Sequence, residues 1–162
     1  MSKIKSVVRE LHRSETALAR ALLAAADRHR ADPEVFHVAR DIARWSQDHA
    51  RQLAGAGKEL GLRLDPKPRV EPQPVLARFA ERAAAALRRR PEPGLALLAD
   101  LRRLHLRAAG VSLDWELLAQ VAQGAKRREL LELAQRCHPE TLRQMRWANA
   151  QLKVNAPQVL AS

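Results

Sequence analysis

The chain has no tyrosine, two phenylalanines, one cysteine and two methionines among 162 residues, and aromatic side chains make up 3% of it. Each shortage excludes something. Scarce aromatics and almost no isoleucine make a poor strand composition, because sheets draw on β-branched and aromatic side chains. Without tyrosine there is no tyrosyl radical partner for a redox metal. A single cysteine, Cys137, cannot form an internal disulfide, and the default is a protein of a reducing compartment. No apolar run approaches the roughly 18 residues that a membrane span needs, and no charged-then-apolar leader follows Met1. These absences point to a cytoplasmic protein with no membrane association.

Abundant alanine, leucine, arginine and glutamine favour helices, and the expected class is all-α. The length suits one domain over residues 1–162 that buries a core without disulfide or metal support. A net charge of +11 is suited to phosphate neutralisation. Arginine and alanine are also what a GC-rich coding sequence produces, so charge alone does not decide for nucleic acid.

Punctuation divides the chain into four long segments and one long connection. Asp32-Pro33-Glu34 ends one helix and starts the next: Asp32 caps free amides, Pro33 fits the first helical position, and Glu34 suits the N-terminal dipole. The second segment should end near Gly61, because four prolines between Pro66 and Pro74 cannot continue a helix. Residues 63–94 read as a Pro-rich crossover with a short amphipathic helix at about Val75 to Arg89. A third segment runs from about Leu95 to Gln123, and Gly124 with Ala125-Lys126-Arg127 marks the turn into the fourth.

Apolar spacing supports the same division. Ile4, Val8, Leu11, Glu15, Leu18, Leu22 and Ala25 step by four and three, the rhythm of a helix packed at a shallow angle. Val35, Ala39, Ile42, Ser46, His49, Leu53, Ala56 and Leu60 repeat it. So do Leu97, Leu101, Leu104, Ala108, Val111, Trp115 and Leu118, and finally Leu131, Gln135, His138, Leu142, Met145, Asn149 and Leu152. Gly110 costs about 1 kcal/mol within the third helix, and Pro139 removes a backbone hydrogen bond from the fourth. These stripes turn Glu15, Ser46, His49, Gln135 and His138 inward.

Two antiparallel helix pairs joined by a crossover of this length resemble the ferritin-like superfamily of four-helix bundles. That resemblance implies a carboxylate from the first and third helices and Glu-x-x-His from the second and fourth, all around two metal ions. Glu15 matches the first-helix carboxylate, and His49 and His138 match the histidines. Ser46 and Gln135 stand where the glutamates belong. On the third helix Asp114 lies beside the stripe, His105 is offset, and Asp100 is further out. The chain is therefore similar to a degenerate member with an eroded di-iron site, since two hard cations need several anionic oxygens.

Three functions compete. In the first, the protein is non-catalytic and Glu15, Ser46, His49, Gln135 and His138 form a buried polar layer that satisfies itself and fixes helix register, with no cofactor and no catalytic residue. In the second, it is a residual metal-binding protein or oxidoreductase in which Glu15, His49 and His138 hold a single iron, manganese or zinc ion. In the third, it is a basic adaptor whose Arg88, Arg89, Arg90, Lys126, Arg127 and Arg128 dock nucleic acid or an acidic protein. A homo-oligomer is compatible with each. Cys137 beside His138 reads as a packed residue, not a nucleophile, because neighbours on a helix diverge by about 100°. Trp45, Trp115 and Trp147 read as core or interface anchors, and His12 as a solvent-side histidine.

Overall fold

A computed structural model describes residues 3–71, 79, 82, 83 and 92–161. Among them are four α-helices and no strand: α1 (Lys3–Arg28), α2 (Pro33–Glu59), α3 (Pro93–Gly124) and α4 (Arg128–Leu160). Local chemistry sets the boundaries. The Asp32 side chain accepts from the Val35 amide at 3.1 Å, with Pro33 in the first turn of α2. The α2 C-terminus closes on Gly61 at φ +75°, while the Leu62 amide donates back to the Gly57 carbonyl at 2.8 Å. At the end of α3 the left-handed residue is Lys126, φ 53°, with the Arg127 amide donating to the Ala122 carbonyl at 2.8 Å. Gly124 is the last residue of α3 and lies two residues before the position that would use glycine's freedom.

Side-chain bonds along the helices fix their directions. α1 meets α3 through Arg28 to Asp100 at one end and through Glu15 to Trp115 at mid-length. α2 meets α4 through Glu34 to Gln151, Ser46 to Gln144 and His49 to Glu140. α3 meets α4 through His105 to the Met145 carbonyl and Ser112 to His138. With α1 packed on α2, every neighbouring pair is antiparallel, and α1/α4 and α2/α3 lie on the diagonals. α2 and α3 therefore run the same way, and the chain between them must travel back along the bundle. It does so on α1: Gly61 lies near Lys5, the Asp65 carbonyl meets His12 Nε2 at 2.8 Å, and the Arg69 carbonyl accepts from Arg20 at 2.8 Å. From Lys5 to Arg20 that is about 22 Å of α1. The helix expected at Val75 to Arg89 lies mostly outside the described residues.

The main core draws on all four helices, with Leu11, Leu18, Leu53, Trp115 and Leu118 fully enclosed and Leu130, Leu133 and Cys137 added from α4. A smaller cluster of Val35, Leu97 and Leu101 fills the end where α2 and α3 begin. α3 is continuous through Gly110, and α4 through Pro139, which sits on the exposed side. The stripe of α4 is a correction. Leu130, Ala134, Cys137, Thr141, Gln144 and Ala148 are buried, each one residue before the positions expected from spacing. Ala134, Cys137, Thr141 and Ala148 are small enough to pack inside together with Leu130 and Leu133, while Leu131, Leu142 and Met145 are half-buried on the flank. No helix among the described residues is long and apolar enough to cross a membrane.

Candidate functional site

The α1 seam carries Glu15 into the middle of the bundle, where it is fully buried. A carboxylate there is tolerated only if its charge and lone pairs find partners. Its Oε1 faces His49 Nδ1 of α2 at 2.8 Å, and accepts from Trp115 Nε1 of α3 at 2.7 Å and Thr141 Oγ1 of α4 at 3.3 Å. One oxygen thus joins all four helices. Glu15 Oε2 accepts no hydrogen bond from the described residues.

His49, 1% exposed, faces a second carboxylate on its other side, with Nε2 2.9 Å from Glu140 Oε2. A neutral imidazole has one N–H, whereas the imidazolium donates from both nitrogens and matches two acceptors. Burial opposes the charged ring, but hydrogen bonding and charge from Cys137 and Glu15 outweigh it and raise the pKa from 6.5 to about 10. The Trp115 ring meets His49 edge-on, centroids 5.6 Å apart. Glu140 is one-third exposed and lines a surface hollow with Arg44, Trp45, Arg51 and Lys67, so the buried pair is one residue from solvent.

One turn along α4, Gln144 completes the layer. Its Nε2 donates to the Ile42 carbonyl at 2.8 Å and to Ser46 Oγ at 2.9 Å. Ser46 is thus part of a buried α2/α4 bond. Its partner is Gln144, and not Gln135, which is exposed. His138 is half-buried and turned to α3, with Nε2 2.7 Å from Ser112 Oγ. The structure therefore joins Glu15 to His49 and leaves His138 in a separate α3/α4 contact. Cys137 lies on the core side and His138 on the α3 side, so the adjacent pair diverges.

Among the described residues, no group of three or more His, Cys, Asp or Glu side chains is arranged to hold a metal ion. The chain matches no family model, no curated protein and no solved structure.

Asp100 is another correction. It lies inside, not further out: its side chain is 4% exposed and binds Arg28 Nε at 2.8 Å, His29 Nε2 at 2.7 Å and Arg103. Burial pushes its pKa up, but the hydrogen bonds from Arg28 and His29 and the charges of Arg28 and Arg103 outweigh that and hold it below the usual value. His105 Nδ1 donates to the Met145 carbonyl of α4, Asp114 is half-buried, and His12 faces the crossover.

Many arginines are engaged at home. Arg13 pairs with Glu10, Arg44 with Asp41, and Arg51 with Asp48, each within one helical turn. In the Lys126-Arg127-Arg128 cluster, Arg127 binds Glu129 and Arg128 binds Glu132. The Arg88-Arg89-Arg90 cluster lies outside the described residues. The residues missed from sequence are Glu140, Thr141 and Gln144. A 4-3 step through Cys137, Thr141 and Gln144 was the available signal, hidden beside a stripe richer in large apolar residues.

Proposed function

We propose that the protein is a non-catalytic, ferritin-like four-helix bundle in which an eroded carboxylate site has become a buried polar clamp that fixes helix alignment. The observation that carries this reading is the set of donors from α2, α3 and α4 on one oxygen of Glu15. Interchangeable Leu and Ala seams permit slippage by a turn, and a buried group with partners on every helix penalises each slipped register. The antiparallel neighbours and the returning crossover support the ferritin-like topology.

A di-metal centre does not fit the side chains present. Both nitrogens of His49 face carboxylates at hydrogen-bond distance, His138 faces Ser112, and Gln135 faces solvent. As an imidazolium, His49 offers no lone pair, and the remaining oxygens are too few for two hard cations. The test is metal analysis of untagged protein for iron, manganese and zinc. Content well below one ion per chain is expected. Near-stoichiometric metal that disappears in His49→Ala would overturn the reading in favour of a metalloprotein.

A further inference from the structure

α3 is apolar on two opposite faces. One face is the core stripe. The other carries Leu106, Leu113 and Leu117, exposed by 52%, 61% and 58%, with Gly110 between them. These four residues step by four, three and four, the same seam rhythm that the buried stripes use, and at 100° per residue they lie opposite Leu101, Ala108 and Trp115. Scattered exposed leucines need no explanation, but an ordered seam along one helix does. Leu95 and Ala99, both exposed, extend it toward the start of α3, for a total of about 33 Å.

The charges beside the seam identify what covers it. The first half of the seam is flanked by Arg102, Arg103 and Arg107, the second half by Asp114 and Glu116. Arg103 is paired with Asp100; among the described residues none of the other four takes part in an ion pair within the chain. We propose that a second copy of this chain docks here, its α3 antiparallel to the first, about a two-fold axis near Gly110. Such an axis pairs residues whose numbers sum to about 220. It sets Leu106 against the second copy's Leu113, Arg107 against its Asp114 and Arg102 against its Glu116. Arg107 and Asp114 lie on one side of the seam and Arg102 and Glu116 on the other, as antiparallel pairing requires. A parallel pairing would set arginine against arginine and acid against acid. Gly110 lies at the crossing, and a Cβ built there meets nothing within 4 Å, so the two backbones can approach closely. The interface is isologous and closes with two chains. It involves none of the buried clamp, and so stands or falls separately from the proposed function.

Sedimentation equilibrium of the full chain tests it. A dimer is expected, and Leu113→Asp, a substitution on the exposed face, should give a monomer with unchanged helix content. Arg107→Asp should weaken dimerisation about tenfold, because two symmetry-related pairs become repulsive, and Arg107→Asp with Asp114→Arg should restore it. A chain that stays monomeric up to its solubility limit would overturn the proposal and leave the seam to another occupant. A dimer that survives Leu113→Asp, or a charge exchange that fails to restore it, would also overturn it.

Discussion

The charged His49 ring ties stability to pH in the alkaline range. Its pKa rises from 6.5 to about 10 on folding. The stabilisation is therefore complete below pH 6.5 and disappears as pH rises through 10. One pKa unit is worth 1.36 kcal/mol, so the full window corresponds to about 5 kcal/mol at most. That is comparable with the total stability of many domains. The chain has no tyrosine to titrate in the same window. Glu15→Gln removes the carboxylate's share of that shift and leaves the Cys137 share in place, because the amide oxygen still accepts from Trp115 and Thr141 while the charge opposite the ring is gone. The variant should lose about 3 kcal/mol at pH 6, as a buried charge loses one partner, and its stability should fall less steeply between pH 7 and 10. Glu15→Leu combined with His49→Leu should cost less than the sum of the single changes, since no unpaired charge remains inside. Urea unfolding monitored by tryptophan fluorescence at pH 6 to 10 reads both values, with Trp115 reporting directly on the clamp. Wild-type stability independent of pH over this range, or an unchanged slope in Glu15→Gln, would refute the charged pair.

Two further outcomes concern other parts of the bundle. Asp100 is held below its usual pKa of 3.8 by its basic partners, so its contribution is present above pH 4 and is lost as pH falls through the lower folded value; Asp100→Asn should cost about 3 kcal/mol at neutral pH and flatten the acid limb of the unfolding curve. Lys126→Gly should add about 1 kcal/mol of stability and raise the thermal midpoint in a calorimetric scan, because φ 53° at Lys126 is a conformation glycine adopts without penalty.

Sequence periodicity sets the inward faces of three helices because their seams contain large residues on the core side. In α1, Val8, Leu11, Leu18 and Leu22 have no competing stripe, so Glu15 takes an interior position from spacing alone. The Asp32-Pro33-Glu34 turn is equally legible, since its capping chemistry is local. α3 is legible for its core face and silent about its second apolar face, because one continuous stripe at 3.6 spacing already accounts for a helix and leaves the opposite side unweighed. Asp100 escapes for a related reason. Its partners Arg28 and His29 stand more than seventy positions away, at the far end of α1, and no local rule connects them.

The fourth helix shows where periodicity fails and how that failure bears on function. Leu131, Leu142 and Met145 draw a hydrophobic reading to their stripe, yet the core encloses Ala134, Cys137 and Ala148 together with Leu130 and Leu133. A one-residue error rotates the helix by about 100°. With the first stripe central, Gln135 and His138 face inward and the site reads as a worn metal centre. With the enclosed set central, Thr141 and Gln144 take those places, and Glu140, just off the stripe, has the reach to span from α4 to His49 Nε2. Both ring nitrogens of His49 then face carboxylate oxygens, the arrangement that suits an imidazolium donating on two sides. The chemical character of the interior is thus decided by which face of α4 packs closest, a property of all four helices together and of no single segment.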